Sequence, residues 1–172
     1  MIDVAVYLPC APTVAPATME VVVRVESNGD PLALYINGLG AIHVTSVDAG
    51  AALVRRAILA GHTVDIGLTG LNSRTLEKFH VSIEAAFDRC TNLRIGGSVL
   101  TENYLAAVKR YGPGEMALEA ALSAYNTGDF WRGRENGYLA RYFVLIKRPG
   151  RKLLPSSPHS VASITYTIEV AR

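Results

Sequence analysis

Met19-Glu20-Val21-Val22-Val23-Arg24-Val25-Glu26, followed at once by Ser27-Asn28-Gly29-Asp30-Pro31, decides how the rest of the chain is read. Met19, Val22, Val23 and Glu26 fall at i, i+3, i+4 and i+7, so a helix over this run puts a carboxylate on one stripe with three apolar side chains. Removal from water disfavours the charged form, which raises the pKa of such a group and lets it hold a proton near neutral pH, as a general acid must. The plainer reading is a helix-end glutamate turned to solvent. Against it stands the dense stop-and-turn signal from Ser27 to Pro31, which leaves Glu26 in the last turn of a buried helix, at the lip of whatever cavity lies beyond. Pro16 suits the first turn of the same helix.

Working outward, the bulk properties set limits. With 172 residues, 49% of them hydrophobic, the chain suits one globular domain with a sizeable core and is too short for a second full one. A net charge of +2, with basic residues scattered apart from pairs such as Lys147-Arg148, is too mild to argue for nucleic acid. A weakly basic surface would also suit an anionic polymer such as a cell wall. No apolar run approaches the length of a membrane span. Residues 1–9 lack a basic start and a long apolar core, so export would need a signal supplied elsewhere or another route. A disulfide between the two cysteines, Cys10 and Cys90, would be worth roughly 4 kcal/mol in the chain-entropy model. Composition alone leaves two free buried thiols equally open.

In chain order, the runs Ala33–Ile36 and Ala41–Val44 flank Asn37-Gly38, a hairpin signal made irregular by Gly40. Ser46 or Asp48 can cap a helix over Ala49–Ala60, which Gly61 stops. Val64-Asp65-Ile66 reads as a short strand passing into the loop Gly67-Leu68-Thr69-Gly70-Leu71-Asn72, whose small and hydroxylated residues let another molecule approach the backbone. Ser82 can cap a short helical turn over Ile83–Phe87, and Thr91 or Asn92 a long helix to Tyr111 in which Gly96-Gly97 implies a tight helix contact. Leu118, Ala121, Leu122 and Tyr125 form the stripe of the next helix, from Glu115, and place Tyr125 and Asn126 at its end. After the loop Phe130–Gly137, Asn136 can cap a last helix with Leu139, Tyr142, Phe143 and Ile146 buried and Tyr138 to one side. Residues 148–172 read as a C-terminal tail in which Ser160–Val170 alternates well enough to be a strand, suited to pairing with another chain. His43, His62, His80 and His159 show no metal-ligand spacing, and no cofactor is implied.

Four motifs in order are specific when taken together: Glu26-Ser27-Asn28-Gly29-Asp30-Pro31, Gly67-Leu68-Thr69-Gly70-Leu71-Asn72-Ser73-Arg74, Ala124-Tyr125-Asn126-Thr127-Gly128 and Asn136-Gly137-Tyr138. Over about residues 7–146 the chain resembles the lytic transglycosylases of glycoside hydrolase family 23, in particular the branch that accompanies conjugative type IV secretion systems. That resemblance implies an α+β, mainly α, lysozyme-like fold with a small β-hairpin over residues 1–147. It implies that Cys10 before the first helix pairs with Cys90 at the start of the long one. It implies peptidoglycan glycan strands as substrate, cut between N-acetylmuramic acid and N-acetylglucosamine, with Glu26 as the single catalytic acid/base and a 1,6-anhydro product. Ser27, Gly67, Thr69, Asn72, Tyr125, Asn126 and Tyr138 fall on motif positions that line the substrate groove. One departure stands out: Gly67-Leu68-Thr69-Gly70 replaces the family's Gly-Leu-Met-Gln, so no glutamine side chain is offered to the sugar.

The expected setting is the periplasm or cell envelope, with the tail meeting type IV secretion components. A virion-borne lysin is the alternative setting. Two other readings of the function remain: a weakened, lysozyme-like module that binds glycan or scaffolds an assembly, and a muramidase that adds water. For the latter Asp48 and Asp65 are the candidate second carboxylates, though helix cap and strand end explain them as well.

Overall fold

A computed structural model describes residues 9–146. Helix α1 spans Pro16–Ser27, with proline in its first turn; it ends where Asn28 turns left-handed (φ 52°) and returns its N–H to the Arg24 carbonyl. Thr18, Met19, Val21, Val22 and Val23 are all buried, so this helix is covered on most of its circumference. Around it pack α4 (Arg89–Tyr111), α5 (Glu115–Thr127) and α7 (Tyr138–Ile146). Met19, Val22, Leu93, Leu100, Leu118 and Leu139 belong to this first core.

A second core lies under a four-stranded antiparallel sheet. Strands β1 (Leu34–Ile36), β2 (Gly40–Ile42), β3 (Val64–Ile66) and β4 (Leu71–Asn72) lie in the order β2-β1-β3-β4. The expected hairpin is thus one half of a larger sheet. Leu34, Ile36, Val64 and Ile66 turn inward against Val54 and Ala57 of α2 (Val47–Leu59), whose first turn is capped by Ser46. Alternation sends the intervening residues to the opposite face. The register pairs Tyr35 with Asp65 and Asp65 with Asn72, so these three form a row across β1, β3 and β4.

Helix α4, at 23 residues about 35 Å long, joins the two cores, giving Leu93 and Leu100 to one and Ile95 to the other. Its N-cap is Asp88, whose carboxylate accepts the Thr91 N–H at 2.8 Å, and neither Thr91 nor Asn92 caps it. The paired glycines mark a close approach to α5 and to two other segments: a Cβ on Gly96 would stand 2.9 Å from the hydroxyl of Tyr125 in that helix. A Cβ on Gly96 would lie 2.5 Å from the Thr69 hydroxyl, and one on Gly97 would lie 3.0 Å from the Ala11 Cβ. Two short helices lie in stretches that carry little periodic signal, α3 (Ser73–Lys78) and α6 (Arg132–Glu135). Cys10 and Cys90 form a disulfide, Cα–Cα 5.1 Å, fastening the segment before α1 to the start of α4. The tail 148–172 and its strand lie outside the described residues.

Candidate active site

Glu26 ends up partly buried at the C-terminal end of α1, where the helical core meets the sheet. One carboxylate oxygen, Oε1, is held by two phenols of α7. Tyr138 donates to it, and Tyr142 donates to it at 3.2 Å, while the two hydroxyls lie 2.7 Å apart. Tyr138 and Tyr142 stand four residues apart and so share a helix face. Tyr138 is buried, not set to one side of α7, because its ring packs into the first core while its hydroxyl reaches Glu26. Burial pushes the Glu26 carboxyl up to about 6; the two tyrosine hydrogen bonds oppose this, the charge of Asp65 adds to it, and Arg141 opposes it weakly. Burial in turn raises both phenols, which stay protonated donors.

The other oxygen, Oε2, faces Gly70. A Cβ built there would stand 3.1 Å from Oε2, and the backbone at φ +59° already favours glycine. The loop from residue 66 to 70 is pinned at successive peptide groups. Asn92 Nδ2 donates to the carbonyls of Ile66 (2.9 Å) and Ala86 (2.7 Å), and its Oδ1 accepts the Thr69 N–H (2.9 Å) and the Thr69 hydroxyl (2.7 Å). Ser27 Oγ donates to the Leu68 carbonyl at 2.8 Å and Tyr125 donates to the Thr69 carbonyl at 2.8 Å. The Thr69 side chain therefore does not reach the space over Glu26: it is fully buried and spent on Asn92. Ser27 and Tyr125 tie the loop to α1 and α5.

A groove of about 750 Å³ opens over Glu26, with Ser27, Gly67, Gly70, Asn72, Asn126 and Tyr138 along it. A side pocket of about 140 Å³ shares Glu26, Gly70, Asn72 and Asn126 with it and is closed by Tyr125. Of the catalytic and groove residues that the motifs singled out, all but Thr69 thus line one of these two spaces. Asp65 lines both, on the sheet wall, where Asn72 Nδ2 (2.7 Å) and Asn37 Nδ2 (3.3 Å) donate to its two oxygens. Burial raises its pKa, against the pull of those amides. Asp48 is exposed in the first turn of α2 and lies in neither space. Sequence reasoning missed Tyr142 and Asn92. The i+4 spacing from Tyr138 was a usable signal for the first. Nothing local distinguishes the second, because its four partners come from β3, the following loop and the turn before α4. Among the described residues no group of three metal-ligating side chains gathers, and no helix is long and apolar enough to cross a membrane.

The family model TraH_2 matches residues 1–139. Protein virB1 of Agrobacterium fabrum is 33% identical over 147 residues, which cover 85% of this chain and 58% of that protein. Type IV secretion system protein virB1 of Brucella suis is 36% identical over 126 residues, 72% of this chain and 53% of that protein. Uncharacterized protein y4dP of Sinorhizobium fredii is 30% identical over 142 residues, 76% of this chain and 70% of that protein. No solved structure matches the chain. These relatives and the family model set the class, that of the type IV secretion-associated lytic transglycosylase family. Within it, the chain belongs to the TraH_2 family. It spans between about half and 60% of the length of the virB1 relatives it matches.

Proposed function

We propose that this chain is a peptidoglycan lytic transglycosylase that opens the cell wall locally, in the envelope, for a type IV secretion or conjugation apparatus. The observation that carries this is the two-sided environment of Glu26: Oε1 is occupied by Tyr138 and Tyr142, and Oε2 faces the groove beside Gly70. With a pKa raised to about 6 the carboxyl is protonated in a mildly acidic medium, and the proton sits on the free oxygen.

Glu26 gives that proton to the glycosidic oxygen as the bond to the muramic anomeric carbon breaks, and the substrate's acetamido oxygen bonds to that carbon to hold the positive charge. The Glu26 carboxylate then takes the proton of the muramic 6-hydroxyl, whose oxygen displaces the acetamido group and closes the 1,6-anhydro ring. No water is consumed and Glu26 ends protonated. Asn126 and Asn72 offer amides to the sugar from the two walls, and the pinned loop keeps Gly67 and Gly70 close to it. The names of the virB1 relatives support the secretion setting.

Asp65 favours a second reading, because a carboxylate across the same groove is what a water-adding muramidase uses. Mass spectrometry of products from purified peptidoglycan decides between them. Anhydromuropeptides that disappear in Glu26→Gln, with a rate loss of about a thousandfold, are expected. Reducing-end products that need Asp65 would establish the hydrolase instead, and no product with retained glycan binding would leave a scaffold.

A further inference from the structure

The groove carries a charge that the bond-breaking step does not use. Arg141, on α7 one turn after Tyr138, is exposed and lines the groove with its guanidinium close enough for its charge to be felt at Glu26. Among the described residues it makes no salt bridge and no hydrogen bond. Arg24, on α1, lines the same groove and is engaged on its flank by Glu20 at 3.3 Å. The standing anion of the groove, Asp65, is on the sheet wall and both its oxygens are taken by amides. Glu26 is neutral in its proton-donating form. Among the described residues, Arg141 thus presents from the helix wall a planar, permanently charged fork with no salt-bridge partner.

A neutral sugar chain offers such a group acceptors but no counter-charge, whereas a muramic residue carries carboxylates on its 3-O substituent. Resting on the transglycosylase reading, we propose that Arg141 is a specificity-determining residue that binds a carboxylate of the muramyl 3-O substituent, with Arg24 as the second cation of that subsite. The carboxylate has two sources: the stem peptide, or the lactyl group freed when an amidase has removed the peptide. The contact selects muramyl-containing strands over plain N-acetylglucosamine polymers, and it belongs to binding more than to the bond-breaking step.

The test compares the full chain with Arg141→Gln and Arg141→Lys on three substrates: stem-bearing peptidoglycan, amidase-stripped glycan strands, and neutral N-acetylglucosamine oligomers. Anhydro-product release is followed on the first two and binding, by tryptophan fluorescence or co-sedimentation, on all three. Arg141→Gln is expected to raise KM about fivefold on an anionic substrate with kcat little changed, to leave oligomer binding as it was, and to be partly rescued by lysine. An effect confined to stem-bearing material assigns the carboxylate to the peptide, and one confined to stripped strands assigns it to the lactyl group. Equal losses on all three substrates, or none on either anionic one, would overturn the proposal. If the unaltered chain releases no anhydro product, the transglycosylase reading fails by itself, and the binding comparison still decides whether Arg141 takes an anion.

Discussion

At the scale of single residues, Glu26 couples stability to pH. Its carboxyl is held at about 6 in the folded chain against 4.5 for an unperturbed glutamate, so the folded state binds the proton more tightly than the unfolded one. The stability this gives is fully present below about pH 4.5 and is lost as pH rises through about 6. Glu26→Gln should therefore raise the unfolding free energy at pH 7 by up to about 2 kcal/mol and leave it unchanged at pH 4. Paired thermal melts at the two pH values check this. A variant less stable than the parent at pH 7 would mean that the carboxylate is better solvated than its surroundings suggest. Tyr142 tests the opposing contribution: its hydrogen bond favours the ionised carboxylate, so Tyr142→Phe should move the alkaline limb of kcat/KM to higher pH and lower the rate roughly tenfold through looser orientation. An unmoved limb would remove Tyr142 from the site and return it to the core.

Among elements, the contact between α4 and the loop after β3 decides the shape of the groove. Asn92 alone satisfies two carbonyls, one amide and one hydroxyl, all buried, and α4 can approach so closely only because Gly96 has no side chain. Asn92→Ala removes the side-chain partner of the two carbonyls and the Thr69 amide, leaving the Thr69 hydroxyl only the residue 92 carbonyl at 3.4 Å, at a cost of roughly 2–4 kcal/mol, and frees the loop that carries Gly70. Urea unfolding should show the loss of stability, and product release should fall further than the remaining folded fraction explains. Unchanged activity in the folded fraction would show that the loop keeps its place without the clamp. The periodic signals of α1, α2, α4, α5 and α7 were legible because each helix buries a stripe. Helices α3 and α6 were not, since six and four residues are too few for a period to show. Asn92 looked like a cap because asparagine near a helix start is ordinarily one. Asp88 won that position, and the Asn92 side chain turned inward to polar groups that only the fold brings near.

On the scale of the whole molecule, the Cys10–Cys90 bridge spans a sequence separation of 80 and links the lead-in to α1 with the head of α4, the two helices that support Glu26 and its loop. Reducing it, or replacing both cysteines by serine, should lower stability by roughly 4 kcal/mol in the chain-entropy model, seen as a lower midpoint in urea with and without reductant. Identical midpoints would mean that the unfolded ensemble is already compact without the bridge. The groove is likewise a property of the whole, since its walls are the helical core on one side and the outer face of the sheet on the other.

By itself the sequence determined the element that matters: the stripe Met19, Val22, Val23, Glu26 and the turn signal after it put a carboxylate on a buried helix end, and the four motifs pointed to the family. These are local facts, written in spacing and in the residues that stop a helix. Only the tertiary structure decided that Tyr142 joins Tyr138 at Oε1, that Thr69 turns away from the groove to Asn92, and that Asp65 and Arg141 face it from opposite walls without a partner in each other. Those outcomes depend on which groups are left unsatisfied when distant segments pack, and spacing along the chain carries no record of that.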